Sequence, residues 1–261
     1  MGMRVLTCGD GDFTFSLALA RMLLGNEGTS AASKLTATSY ETSETLEKVY
    51  PNFVDTLTEL KQLGCLLQFG FDATRLKESL GITNGDVKFD RIVWNFPCLA
   101  VAKGQDGQNG EMDENKALVS KFIVPARDLL TDGGEIHICH KTKPPFNQWR
   151  LEEVVTGTCD DVHFQGKVVF DRATTPPYTP RKALDRKSFP CHDACTFIFS
   201  LRSRPKGRFH PTLYLGNELM EAVTHELISE IRSAHLVKAQ YSSYIEEETK
   251  KRSGKKSRKQ N

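Results

Sequence analysis

Two carboxylates, Asp10 and Asp12, stand on either side of Gly11 in the run Cys8-Gly9-Asp10-Gly11-Asp12-Phe13-Thr14. Paired glycines let a backbone approach a ligand closely, and the N-terminus of a following helix offers unpaired N–H groups. The spacing departs from the dinucleotide fingerprint, because Thr14 stands where the third glycine would be. Acids at this place repel a pyrophosphate but accept hydrogen bonds from an ammonium or a hydroxyl. The chemistry therefore favours a cationic ligand without phosphates, such as S-adenosylmethionine, over NAD. Gly9, Asp10, Gly11, Asp12 and Phe13 are the first candidate cofactor residues.

The elements needed to position such a turn follow in series. An apolar strand, Arg4 to Cys8, leads into the glycines, and Phe15, Leu17, Leu19, Leu23 and Leu24 mark a helix after them. Lys34 to Ser39 reads as a second strand ending in Tyr40-Glu41, and Leu66 to Phe71 as a third ending in Asp72. Phe89 to Trp94 reads as a fourth, ending in Asn95-Phe96-Pro97. Each places a polar side chain just past a carboxyl end, where ligands bind in open α/β sheets. Glu41 suits ribose hydroxyls and Asp72 an adenine amino group. Singly, either acid would equally serve as a helix N-cap or a loop residue; it is the series that points to a site. Helices are expected at Thr14 to Leu24, Ser43 to Leu63 with a break at Pro51, Ala73 to Leu80, Asp113 to Leu130 and Gln148 to Gly157. The last strands are expected at His163 to Asp171 and Thr196 to Arg202. Such alternation predicts an α/β fold with a mostly parallel twisted sheet and helices on both faces. The stretch from Asp171 to Cys195, rich in Pro, Arg and Lys, reads as a loop carrying contacts rather than core.

The quoted motifs, Gly-Asp-Gly-Asp-Phe-Thr-Phe-Ser, Ala-Thr-Ser-Tyr-Glu, Phe-Gly-Phe-Asp-Ala-Thr and Phe-Asp-Arg-Ile-Val-Trp-Asn-Phe-Pro, resemble the eukaryotic ribosomal RNA uridine-N3 methyltransferase family. Gly134 to Lys141 with Pro145-Phe146 and Trp149 is similar to its next block. Pro177-Tyr178 with Arg181-Lys182, then Ser188-Phe189-Pro190, is similar to its last. The resemblance spans roughly Met3 to Leu201. It implies a Rossmann-like class I methyltransferase using S-adenosylmethionine, with an antiparallel last strand. Two positions depart from the family pattern: Cys98 follows Asn-Phe-Pro in place of a histidine, and His140-Lys141 stands in place of Leu-Lys.

Methyl transfer is an in-line displacement whose main demand is alignment. Asn95-Phe96-Pro97 is half-similar to the Asn/Asp-Pro-Pro-aromatic loop of amino-group methyltransferases. Asn95 could hold a base edge there, with Phe96 as a stacking wall worth about 1–3 kcal/mol. Asn95, Phe96, Pro97 and Lys141 are the candidate catalytic residues. Lys141, more than His140, is placed to stabilise a uridine anion or to take its proton; a phosphate contact is the plainer alternative. Phe146, Trp149, Tyr178, Arg181 and Lys182 interleave rings with cations, the composition of a single-stranded RNA groove. Trp149, at the start of a helix, is the one of these best suited to the core.

Charge is partitioned along the 261 residues. Residues 1–140 carry net −6, 141–210 net +6, 211–249 net −5 and 250–261 net +7. A basic second half suits a polyanionic partner, here RNA, in particular large-subunit ribosomal RNA or a pre-ribosome. No apolar run is long enough to span a membrane, and no basic-then-apolar leader precedes the first strand. The seven cysteines lack paired zinc-ligand spacing, so no metal site is expected. The expected organisation is a methyltransferase domain over 1–203, a helical extension over 204–245 and a basic disordered tail over 246–261. The tail, Lys250 to Lys259 in particular, reads as a nuclear or nucleolar signal that also binds RNA phosphates. Alternative readings are methylation of another RNA base, a non-catalytic RNA-binding relative of the same fold, and an NAD-type oxidoreductase, which the missing third glycine disfavours.

Overall fold

The computed structural model describes residues 3–27, 34–82, 87–99, 112–170, 172, 175–191 and 193–201. The expected C-terminal helix and basic tail lie outside them. Strand β1 (Val5–Cys8) is buried along its whole length, Thr7 included, and is an interior strand of the sheet. It pairs in parallel with β2 (Leu35–Thr38) on one side and β4 (Phe89–Asn95) on the other. β3 (Leu66–Gln68) continues the sheet past β2, and β5 (Leu130–Lys141) lies parallel to β4. β7 (Ala194–Ser200) runs antiparallel between β5 and β6 (His163–Val169). The order β3-β2-β1-β4-β5-β7-β6, with one reversed strand, is the class I methyltransferase form of a Rossmann-like sheet, as expected.

Strand pleating sends alternate residues into two cores. Val5, Leu35, Ala37 and Val93 meet α1 (Thr14–Glu27), α2 (Ser43–Val49) and α3 (Phe53–Gln62) on one face. Leu6, Ile92, Trp94, Ile136 and Ile138 meet α4 (Leu76–Ser79), α5 (Met112–Asp128) and α6 (Leu151–Thr158) on the other. Pro51 separates α2 from α3, where the sequence places the break.

The departures from expectation are at element ends. β3 stops at Gln68 instead of Phe71, because Gly70 turns the chain at φ +62° and the Phe71 N–H returns to the Ser39 carbonyl. The expected helix Ala73 to Leu80 is a 3₁₀ turn over Ala73–Arg75 followed by the single turn of α4. β5 begins at Leu130, where the helix was expected to end, and passes Gly133 at φ +87°. Arg150, at φ 50°, separates a 3₁₀ turn over Phe146–Trp149 from α6.

One close approach ties the glycine turn to the sheet. Gly9 has φ +62°, and a Cβ there would lie 2.9 Å from Trp94 Nε1. The Trp94 ring is itself held edge-on against Phe122 at 4.7 Å. Gly9→Ala is therefore expected to lower stability by about 1–3 kcal/mol. The check is urea unfolding, with a reduced midpoint at unchanged slope.

Candidate active site

The turn after β1 is built around a buried acid. Ser16 donates both its backbone N–H (2.7 Å) and its hydroxyl (2.6 Å) to Asp10 Oδ2, and its Oγ lies 2.8 Å from Thr7 Oγ1. The Asp10 N–H donates to the Thr38 carbonyl of β2 (2.9 Å), while the Thr38 hydroxyl donates to the Thr7 carbonyl (2.8 Å). The Asp10 carboxylate thus caps the first turn of α1 and faces the space beyond the sheet. Asp12 Oδ1 accepts from the backbone N–H and hydroxyl of Thr14 at 3.1 and 2.6 Å. Burial, and secondly the nearby Asp12 charge, push Asp10 up to about 7, against the pull of its Ser16 hydrogen bonds.

A cleft of about 620 Å³ opens over the carboxyl ends of β1, β2 and β4, a size suited to a cofactor. Gly9, Asp10, Gly11 and Asp12 form one wall, and Glu41, Asp72, Asn95 and Phe96 all reach it. Asp72 serves as the cap weighed for it in the sequence and also stands at the cleft. Its Oδ1 caps the 3₁₀ turn by accepting from the Thr74 N–H (2.8 Å) and hydroxyl (2.7 Å), and the residue still lines the cleft. Asn95 Oδ1 is buried at the cleft and has no hydrogen-bond partner among the described residues. Such an atom is costly unless a ligand satisfies it. Phe96 sits at φ 51°, a conformation uncommon for a non-glycine residue, with its N–H donated to the Cys139 carbonyl (2.8 Å). Cys98, where the family pattern has histidine, also lines the cleft.

Part of the long segment before β7 forms the opposite wall as a strap. Tyr178 packs edge-on against Phe15 (5.2 Å) and Phe170 (6.0 Å). Arg181 Nε donates to Asp12 Oδ2 at 2.9 Å, and Arg186 Nε donates to the Val49 carbonyl at 2.6 Å. Further along, the Phe189 ring meets Phe96 edge-on at 5.0 Å. Lys141 Nζ lies 4.5 Å from the Phe146 ring centre and 5.1 Å from that of Phe189.

Several expected site residues occupy other positions. Phe13 turns its ring away from the cleft into the core, at 5.4 Å from Phe69 and 6.1 Å from Phe53. The glycine turn needs its backbone, and the apolar ring fills the space above α3. Trp149 is 1% exposed and packs in the core on the far face of the sheet, at 4.3 Å from His140. It cannot stack on a base in the cleft; its 3₁₀ turn directs it inward. Pro97 is buried, and Tyr178 is a wall residue with its ring embedded. Arg181 faces the cofactor turn, whereas Lys182, also at the cleft, is exposed. Pleating separates the two candidates at the end of β5. Burial holds His140 neutral, pushed down to about 4, while Lys141 projects to the side of Phe189. Phe189, Tyr50 and Trp94 were missing from the expected site. Phe189 and Trp94 had a signal, since they lie in the Ser-Phe-Pro and Trp-Asn-Phe-Pro motifs.

The cleft suits a zwitterionic nucleoside cofactor: acids for an ammonium and for hydroxyls, an orphan amide oxygen, and a glycine turn with no room for a Cβ. Fold and cleft together define a class I, S-adenosylmethionine-dependent methyltransferase. The chain belongs to the BMT5-like family, described as rRNA (uridine-N3-)-methyltransferase BTM5-like, whose match covers residues 6–182. An uncharacterized protein of Arabidopsis thaliana, At4g26485, is 31% identical over 204 residues, covering 76% of this chain and 92% of that protein. The heavy metal-associated isoprenylated plant protein 41 of the same organism is 33% identical over 184 residues; this is 70% of this chain but 34% of the relative. Among solved structures, TrmN from Thermus thermophilus superposes with a TM-score of 0.45 at 16% identity, covering 76% of this chain and 44% of that one. Ribosomal protein L11 methylase from Lactobacillus delbrueckii subsp. bulgaricus gives 0.38 at 14% identity, with 77% and 70% covered.

The raised Asp10 has a measurable consequence. Its folded value of about 7 exceeds the ordinary 3.8, so the folded state holds a proton that the unfolded chain has lost between these values. Stability falls as pH rises through that window. A cationic ligand beside Asp10 favours the ionised form, so its affinity is expected to rise by up to about tenfold per pH unit below pH 7 and then level off. Calorimetry at pH 6 in buffers of different ionisation enthalpy should show net proton release on binding S-adenosylmethionine. Asp10→Asn, which keeps an acceptor for the Ser16 N–H, should abolish both the release and the pH dependence.

Proposed function

We propose that this protein transfers the methyl group of S-adenosylmethionine to N3 of a uridine in large-subunit ribosomal RNA. The observation that carries this reading is the meeting of two strand ends. Asn95, whose amide oxygen has no partner among the described residues, closes β4, and Lys141, set between two aromatic rings, closes β5 beside it. The family description supports the same reading.

When bound, the cofactor supplies an electrophilic methyl group on a positively charged sulfur. The residues of this chain would do the rest. Glu41 and Asp72 hold ribose hydroxyls and the adenine edge. The Asn95 side-chain amide takes the hydrogen-bonding edge of the acceptor base. Phe96 and Phe189, braced edge to face, form an apolar wall that excludes water from the reacting nitrogen. An imide nitrogen becomes nucleophilic once its proton has passed to bulk water as the base docks, before the site closes on it, and the negative charge then spreads to the flanking carbonyl oxygens. Lys141 stabilises that charge, and the rings of Phe146 and Phe189 limit where its ammonium can go. Lys143, Lys182 and Lys187, on the same side of the molecule's sequence partition, add contacts to the RNA backbone.

The test is transfer from labelled S-adenosylmethionine to unmodified total RNA, followed by nucleoside analysis. N3-methyluridine is expected with the intact protein, with no product from Glu41→Ala. Asn95→Ala should reduce turnover by about 10²–10³-fold. A different methylated nucleoside would overturn the choice of base. Cofactor binding without any transfer, including to ribosomal subunits, would favour the non-catalytic RNA-binding alternative.

A further inference from the structure

The Arg181 guanidinium is built into the cofactor wall, where a contact to RNA backbone would have called for an outward-facing cation. Its Nε donates to Asp12 Oδ2 at 2.9 Å, and its Nη1 donates to the Arg186 carbonyl within the same strap. Asp12 is oriented in turn by the two Thr14 donors on its other oxygen. The strap is pinned at Arg186 to the Val49 carbonyl at the end of α2, and Arg181 pairs with Ser188 as an isolated antiparallel bridge. The guanidinium is thus fixed by two acceptors on two separate segments. Among the described residues, no hydrogen bond reaches its remaining terminal nitrogen, Nη2. The Arg181 side chain is 31% exposed, and the residue lines the cleft together with Asp10.

This places a fixed cation and a buried acid on adjoining walls of one cleft. A dianionic phosphate would meet repulsion from Asp10 and Asp12. An α-amino acid end meets neither problem, since its ammonium can lie toward the acid and its carboxylate toward the guanidinium. Arginine suits that role because its planar fork matches a carboxylate. We propose that Arg181 is the specificity-determining residue for the α-carboxylate of the cofactor's methionyl group, so that the strap reads the zwitterion that the glycine turn begins to hold. This rests on the assignment of S-adenosylmethionine as cofactor.

The probe is decarboxylated S-adenosylmethionine, which keeps the sulfonium, the amine and the nucleoside and lacks only the carboxylate. Binding of it and of S-adenosylmethionine is measured by calorimetry with the full-length protein. The intact protein is expected to prefer S-adenosylmethionine by roughly 10- to 100-fold, the scale of a charge-assisted contact. Arg181→Ala should bring the two ligands to nearly equal affinity by weakening only the carboxylated one. Arg186→Ala releases the strap's other anchor but keeps the Arg181 guanidinium, and should leave the preference in place. If Arg181→Ala retains the preference, or weakens both ligands equally, Arg181 is a strap anchor and the proposal fails. If the intact protein binds neither ligand, the cofactor assignment itself fails, which is visible without any variant.

Discussion

The carboxylate of Asp10 is fixed by the backbone and hydroxyl of Ser16 six residues later, and the rest of the site is placed relative to that bond. It turns the chain out of β1 and starts α1 in the same step. The Asp10 N–H ties the turn to β2 through the Thr38 carbonyl, and Thr38 returns a hydrogen bond to β1. A buried acid is costly unless such donors surround it. Here the donors come from the helix start, so satisfying the acid and starting the helix are a single constraint. Gly9 is required by the same geometry, because the turn brings its α-carbon onto the Trp94 indole.

From this turn outward, sheet order brings together residues far apart in sequence. β1 and β4 are neighbours although more than eighty residues separate them, which sets Asn95 and Phe96 beside the glycine turn. β4 and β5 pair with Asn95 opposite Cys139, which sets Lys141 two residues beyond. The reversed β7 sends the connection from β6 back across the carboxyl ends. That return carries Tyr178, Arg181 and Phe189 over the carboxyl ends, so one segment touches both the glycine turn and Phe96.

Strand–helix alternation, the two-sided burial of β1 and the acids at successive strand ends were legible in the sequence because each is a local pattern. The break at Pro51 was legible for the same reason. Element ends were less so. Gly70, Gly133 and Arg150 all take positive φ, and at Gly70 the N–H reaches the Glu41 carbonyl, a tertiary bond that no local run announces. Side-chain direction was the larger gap. Phe13 has the chemistry of a ligand-facing ring, and only the packed core shows that it points inward, whereas Trp149 was already the ring best suited to the core and is found there. Arg181 looks in sequence like one more cation in a basic loop. Its partner, Asp12, lies 169 residues away, and that pairing exists only once the sheet has folded. The helical extension expected over residues 204–245 and the basic tail fall outside the described residues.

The uneven charge of the sequence acquires a physical sense from the cleft. A cationic cofactor and a polyanionic substrate need opposite surroundings yet must meet within bonding distance. The acidic first half supplies Asp10, Asp12, Glu41 and Asp72 to the cofactor side. The basic second half supplies Lys141 beside Phe189, and Lys182 at the cleft. On the proposed reading, transfer turns a sulfonium into a neutral thioether, so the cofactor loses one positive charge within an acidic cleft while its ammonium keeps its own. The charge balance that draws in the charged cofactor then no longer holds the spent one as strongly. The same acids that would repel a nucleotide phosphate thus favour both entry of the methyl donor and exit of its product.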